Sequence, residues 1–301
     1  MTRYNSSRLL TPPKKEEEVY PYRRVWPSLL LEIGGVFGVA VAFFVLSGFL
    51  GVQVPSLLRL PVNVLIALSP VIFWTIFSRW RERRVPEPRR GLLTVFIITF
   101  LAANAIGVPF VQALDPETWL SVAGTIDRII GYGVTVGVTH EIVKYLVLRY
   151  TVPAERLRVR LDAIAYGVAA ALGYASVLNL RLVLFEDLAV DVLALQVFAN
   201  TTVQIIASCV VAYGIAEARF NARSFLLLPV MFLLAALVEG GVIAFRAGLV
   251  NGGFVLGFGG TRPLFGLVFS LVSTVGMLFV MAFLFNNAER RAREAVESSE
   301  A

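Results

Sequence analysis

The sequence has very few of the residues from which most metal and redox sites are built. Among 301 residues there is one cysteine, Cys209, and one histidine, His140. A single cysteine excludes a disulfide within the chain and a cysteine metal cluster. Charged residues are also scarce, at 16 %, against about a quarter in an average soluble domain. The composition therefore excludes a disulfide-rich secreted domain and does not fit an ordinary soluble enzyme.

Hydrophobic residues, in contrast, make up 57 % of the chain and are gathered in long runs. A helix needs about 20 apolar residues to cross the ~30 Å hydrocarbon layer of a bilayer. Eight runs approach that length and predict an all-α, polytopic transmembrane helical bundle. The runs cover residues 28–50, 61–78, 91–113, 129–150, 161–184, 192–216, 225–247 and 263–286.

The basic residues indicate how this bundle is oriented. Most of the 27 lysines and arginines lie in the N-terminal tail or directly after an even-numbered run. By the positive-inside rule these segments are cytoplasmic, so both termini are expected there. The net charge of +6 then indicates contact with anionic membrane lipids rather than with nucleic acid.

The same pattern gives an expected division of the chain. A cytoplasmic, disordered tail is predicted over residues 1–27, a membrane domain over 28–286 and a second cytoplasmic tail over 287–301. The expected location is the plasma membrane of a prokaryote, with multiple passes.

Polar side chains inside the predicted spans are the candidates for function. A charged residue within a span costs about 2.5–3.5 kcal/mol on insertion scales, so it usually faces the interior of the bundle. The candidates are His140, Glu141 and Lys144 in the fourth run, Asp162 and Asn179 in the fifth, Asn200 and Gln204 in the sixth, and Glu239 in the seventh.

Several of these residues also have a purely structural interpretation. Glu141 and Lys144 are three residues apart on one helix face, which predicts an ion pair. Lys144 lies near the cytoplasmic end of its run and could instead extend its amine to the head groups. Glu239 has no charged partner on its own helix, so it is expected to be protonated or paired across the bundle. The amides are expected to link neighbouring helices.

Small residues at helix-face spacing predict close packing between spans. Gly34 and Gly38 form one such pair, and Gly133 and Gly137 form another. A further series runs from Gly167 to Gly173 in the fifth run. Positions of this kind let helix backbones approach each other closely.

Two motifs on adjacent runs resemble those of the PrsW family of intramembrane metalloproteases. Residues 140–145, His-Glu-Ile-Val-Lys-Tyr, are similar to that family's Glu-Glu-x-x-Lys motif. The fifth run is similar to its second motif, an Asp, then Tyr-Gly, then Gly-Phe-Ala-x-x-Glu-Asn. The matching residues are Asp162, Tyr166, Gly167, Gly173, Ala175 and Asn179, with Tyr174 in place of the Phe. The resemblance covers about residues 90–247.

The resemblance implies a peptidase that cleaves a membrane-anchored protein and uses zinc if it is catalytic. It implies catalytic roles for Glu141, as the general base, and for Lys144. It places His140 and Glu239 nearest to the metal.

The chain departs from the family pattern at four positions. His140 stands in place of the first motif Glu, and Leu178 in place of the Glu of the second motif. Asn200 and Glu239 lie where the family has histidines. Since a catalytic zinc needs about three strong protein ligands, a third ligand is missing.

Three functions are open on this basis. The favoured one is a PrsW-like pseudoprotease that has lost catalysis and binds or scaffolds a membrane-anchored protein, because ligand positions are lost while packing glycines are kept. The second is an active intramembrane metalloprotease. The third, a transporter or channel with a path along Glu141, Lys144 and Glu239, is the weakest, since the sequence shows no inverted repeats.

Overall fold

The computed structural model describes residues 25–81, 88–153, 156–221, 226–252 and 263–300. Within these ranges the chain is helical almost throughout and contains no β-strand. The helices are α1 (Val25–Phe43), α2 (Ser56–Arg81), α3 (Pro88–Ala102), α4 (Val108–Leu114), α5 (Pro116–Leu120), α6 (Thr125–Tyr132), α7 (Val138–Thr151), α8 (Arg160–Phe185), α9 (Val190–Phe220), α10 (Leu227–Gly252) and α11 (Pro263–Glu300). The polytopic helical bundle predicted from the sequence is confirmed.

Seven helical segments among the described residues are long and apolar enough to cross a membrane. They coincide with seven of the eight predicted runs. The eighth run, 129–150, lies in the continuous helical segment Thr125–Thr151, formed by α6, a π-helical turn and α7. It falls outside the seven because its charged and polar side chains lower its mean hydropathy. The orientation of the bundle stays a prediction.

The predicted tails differ in what the structure describes. Residues 1–24 lie outside the described residues, and residues 25–27 already belong to α1. The C-terminal tail predicted over 287–301 continues α11 as a helix as far as Glu300.

Two long helices form the centre of the bundle. Within the apolar 18-residue stretch of each span, 89 % of the residues are buried in α9 and 61 % in α8, against 28 % in α1 and 22 % in α2. Because lipid offers no partners to backbone groups, a helix is the only open-chain structure that satisfies them in the membrane. Polar side chains on α8 and α9 can be accommodated because protein, not lipid, surrounds these helices.

Close backbone packing brings α10 against the segment that leads into α7. A Cβ atom added at Gly137 would lie 2.5 Å from the carbonyl oxygen of Ala236, and one added at Gly240 would clash with the backbone of Gly133 and Ile129. Only glycine permits this approach at both positions. The close packing predicted for Gly133 and Gly137 is therefore confirmed.

The prediction for the first glycine pair is wrong. A Cβ atom added at Gly34 or Gly38 would meet no described atom within 4 Å. The pair lies on α1, and the described helices do not use it as a contact surface.

Candidate functional site

The first part of the site is a charged pair on α7. The Glu141 carboxylate and the Lys144 ammonium form an ion pair through Oε1 and Nζ, one turn apart. Both residues are 1 % exposed. The predicted pair is thus confirmed, and the alternative, in which Lys144 reaches the head groups, is wrong, because its amine is held inside the bundle.

The second part joins α7 to α10. His140 Nδ1 lies 2.6 Å from Glu239 Oε1, and both side chains are buried. Glu239 therefore has its partner across the bundle, which confirms one of the two expectations for it. We assign the proton to His140 Nδ1, which then donates to the carboxylate oxygen.

Gln204 on α9 connects the two parts. Its Oε1 accepts a hydrogen bond from Lys144 Nζ at 2.8 Å, and its Nε2 donates to Glu239 Oε1 at 2.6 Å. Its Nε2 also lies 2.9 Å from His140 Nδ1. His140 Nδ1 donates its proton to Glu239 and so cannot also accept a hydrogen bond from Gln204. The Gln204–His140 contact is therefore a close approach and not a hydrogen bond. Gln204 is completely buried.

These five residues form one continuous network, here called the polar centre: His140, Glu141, Lys144, Gln204 and Glu239. It runs from the Glu141 carboxylate through the Lys144 amine and the Gln204 amide to the Glu239 carboxylate and the His140 ring. Each carboxylate thus has a cationic or hydrogen-bonding partner. The arrangement lowers the cost of burying four ionisable groups.

Part of the hydrogen-bonding capacity of the polar centre is unused. Oε2 of Glu141 and Oε2 of Glu239 are buried and accept no hydrogen bond from a described residue. The hydroxyl of Tyr174 is likewise buried without a described partner. Its ring packs against the His140 ring with centroids 4.3 Å apart. The polar centre therefore retains acceptors that a polar group entering it could use.

Two π-helical turns border the polar centre. One, Gly133–Gly137, leads directly into α7, and the other, Ala103–Gly107, joins α3 to α4. The Tyr174 hydroxyl lies where a Cβ atom at Gly107 would be. Single π turns within α-helices occur often at functional sites, because they rotate the following side chains relative to the preceding ones.

A cavity connects the polar centre to the surface. This polar cavity has a volume of about 510 Å³, within the range of roughly 300–1,000 Å³ typical of ligand pockets. Its wall includes His140, Gln204 and Glu239 at one end and Asp115 and Glu186, in connecting segments, at the other. A ligand can therefore reach the polar centre from the side that the sequence predicts to be outside.

The other predicted residues lie elsewhere. Asn179 Nδ2 donates to Thr201 Oγ1 at 3.3 Å, and Asn200 Nδ2 donates to Asn179 Oδ1 at 3.5 Å, so the amides link α8 to α9 as expected. Asn200 also lines the polar cavity. Asp162 accepts hydrogen bonds from the backbone N–H groups of Arg158 and Val159 at the start of α8. Neither Asn179 nor Asp162 belongs to the polar centre.

A second buried ion pair was not predicted from the sequence. Arg160 Nε donates to Glu217 Oε1 at 3.0 Å, and the guanidinium lies over the Phe220 ring, 5.3 Å from its centroid. Both charged residues are about 5 % exposed. They lie at the ends of their apolar runs, where a charged residue is normally solvated, so composition alone gives no signal for this pair.

The donor set at the polar centre does not fit a zinc site. Among the described residues, no three His, Cys, Asp or Glu side chains converge in a way that could hold a metal ion. The single histidine is engaged by Glu239, and Oε1 of each carboxylate already has a partner, the Lys144 amine for Glu141 and the Gln204 amide for Glu239. An amine that carries a positive charge opposes a cation at the same position.

The comparisons with known proteins identify the family. No curated protein and no solved structure shows significant similarity to the chain. The sequence profile of the PrsW family intramembrane metalloproteases matches residues 87–242, which include α7, α8, α9 and the part of α10 that carries Glu239. Since the match extends over just over half of the 301 residues, the chain belongs to the PrsW family of intramembrane metalloproteases.

Proposed function

We propose that this multi-pass membrane protein binds a membrane-anchored protein without cleaving it. One observation supports this proposal most directly. Lys144 pairs with one oxygen of Glu141 and Gln204 donates to one oxygen of Glu239, while a third metal ligand is missing among the described residues. A network of this kind stabilises a fold and shapes a cavity, and it offers fewer strong ligands than a catalytic zinc needs to activate water.

The polar cavity is the proposed contact surface for the partner. It has both charged and apolar walls and ends in connecting segments at the bundle surface. Apolar walls suit the side chains of a transmembrane helix, and the polar residues suit its exposed end. The partner is therefore a protein with a membrane anchor and a short polar segment next to it.

Site-specific photo-crosslinking in cells tests the proposal. A photoreactive amino acid replaces Val242, which lines the polar cavity, and, as a control, Ile142, which lies on α7 and is 43 % exposed. We expect the probe at Val242, but not the probe at Ile142, to capture a distinct membrane-anchored chain of full length. Equal capture at both positions would show non-specific contact and contradict the proposal.

The same experiment separates binding from cleavage when it is repeated with a variant of the polar centre. Because Glu141→Gln alone leaves Lys144 buried without its anionic partner, the variant is Glu141→Gln with Lys144→Met, which removes both charges together. Binding without cleavage predicts the same amount of full-length captured chain in the native protein and in the variant. Loss of capture by a folded variant would contradict it.

Retained proteolysis is the second candidate function. It is favoured by the buried Oε2 atoms of Glu141 and Glu239, which have no hydrogen-bond partner among the described residues, and by the polar cavity that reaches Glu239. In this case Glu141 would act as the general base. It predicts that the captured chain is shortened in the native protein and accumulates at full length in the variant.

We further propose that the protein lies in a prokaryotic plasma membrane with both termini in the cytoplasm. The number of crossings decides this point, because an even number places both termini on the same side. Seven candidate spans lie among the described residues, and a crossing by Thr125–Thr151 would make the number even. Reporter fusions at each terminus test this, and reporters on opposite sides would show that this segment does not cross.

A further inference from the structure

A second cavity lies at the opposite end of α7 from the polar centre. Its volume is about 310 Å³, and it is formed where four helix ends meet. The wall comes from the end of α7, the start of α8, the end of α9 and the start of α10. All four ends lie on the side that the arginine clusters predict to be cytoplasmic.

Two arginines give this cavity its charge. Arg149, at the end of α7, and Arg219, at the end of α9, both line it, and no acidic residue of the described chain does so. Neither guanidinium has a hydrogen bond or ion pair with another described residue, whereas Arg160 nearby is paired with Glu217. The cavity therefore has two cations whose charge is not balanced by described residues. It is called here the arginine cavity.

The remaining wall is amphipathic. Leu148, Val152 and Leu157 supply apolar surface, and Tyr145 and Tyr166, whose aromatic rings carry a hydroxyl, complete the wall. Tyrosine with arginine beside apolar surface is typical of the membrane–water interface. A ligand that fits these walls has an anionic head and a hydrocarbon body.

We propose that the arginine cavity binds an anionic phospholipid of the cytoplasmic leaflet, with its phosphate between Arg149 and Arg219. The planar guanidinium group binds phosphate oxygens through paired N–H donors. Basic pockets between transmembrane helices on the cytoplasmic side are suited to anionic head groups. The lipid bridges α7, which carries part of the polar centre, to α9, which carries Gln204.

Bound lipid stabilises the folded protein, because it binds that state and not the unfolded chain. This inference does not rest on the proposed binding function or on catalysis. It concerns a different cavity at the other end of α7, and it holds whether the protein cleaves a partner or only captures one.

Thermal unfolding of the purified protein in detergent, with lipid added, tests the proposal. The probes are phosphatidylglycerol, phosphatidylcholine and inorganic phosphate, which separate an anionic lipid from a neutral lipid and from free phosphate. We expect phosphatidylglycerol to raise the Tm, and the other two to leave it unchanged. Equal shifts with phosphatidylcholine would overturn the requirement for an anionic head group, and equal shifts with inorganic phosphate would overturn the assignment to a lipid.

A pair of charge variants locates the site. The test variant is Arg149→Gln with Arg219→Gln, and the matched control is Arg290→Gln with Arg291→Gln, which removes the same charge from α11. We expect the affinity for phosphatidylglycerol to fall about tenfold or more in the test variant and to stay unchanged in the control. Equal affinities in the test variant and the native protein would overturn the proposal. Equal losses in both variants would show general attraction to charge and overturn it as well.

Discussion

Two pairs of glycines, each with a spacing of four residues, lie in very different surroundings. Gly133 and Gly137 pack against the backbone of α10, while Gly34 and Gly38 meet no described atom within 4 Å of an added Cβ. The first pair leads into the helix that carries the polar centre and lies within the residues matched by the family profile. The second pair lies on α1, outside that match.

The comparison shows that spacing alone does not identify a packing surface. A pair of small residues creates a groove on any helix, but the groove is used only where a second helix fills it. At Gly137 the groove is filled by α10, and the same helix brings Glu239 to His140. The region of the polar centre should therefore be sensitive to small changes, and α1 should be tolerant.

The largest expected effect comes from breaking the buried ion pair. Lys144→Met leaves the Glu141 carboxylate buried without its cation and should lower the free energy of unfolding by about 3–5 kcal/mol. Reversible unfolding in mixed micelles of a mild detergent and dodecyl sulfate measures this. The exposed pair between Arg59 and Asp187 is the control, because Arg59→Met should cost less than about 1 kcal/mol. Adding Glu141→Gln to Lys144→Met should restore much of the loss, and no recovery would contradict the pairing.

The next effect tests the packed glycine pair. Gly137→Ala places a methyl group 2.5 Å from the carbonyl oxygen of Ala236 and should lower the free energy of unfolding by about 1–3 kcal/mol. The matched control is Gly241→Ala on α10, where no described atom lies within 4 Å. The same unfolding assay measures both. If the two variants were equally stable, the close contact between α10 and the segment before α7 would be contradicted.

The smallest effect tests the open glycine pair and has the opposite sign. Gly38→Ala adds a methyl group in open space on a helix, so it should raise the free energy of unfolding by about 0.5–1 kcal/mol through the lower flexibility of the unfolded chain. A loss of stability as large as that of Gly137→Ala would show that α1 packs there on something the described residues do not include.

Local features of the site could be predicted from the sequence. The spans follow from apolar runs, because the backbone in lipid must satisfy its own hydrogen bonds. The pair between Glu141 and Lys144 follows from their spacing on one helix. For Glu239 two alternatives were expected, protonation or a partner on another helix, because a lone buried carboxylate is costly, and the structure shows His140 as the partner.

The long-range features could not be predicted. Gln204 contacts three residues of the polar centre, and this depends on how α9 is rotated between α7 and α10. A sequence gives the face of one helix but not its rotation relative to another. For the same reason the sequence left open whether Lys144 pairs with Glu141 or extends to the head groups. Its position near the helix end suggested an exposed amine, but Gln204 and Glu141 hold it inside.

A polar centre that is balanced by its own residues does not need a bound metal ion. Elemental analysis of the protein, purified without chelators from cells grown with added zinc, examines this point. We expect the native protein to contain no more zinc than the variant in which His140→Ala and Glu239→Gln remove the best candidate ligands. One zinc ion per chain in the native protein, lost in that variant, would contradict it.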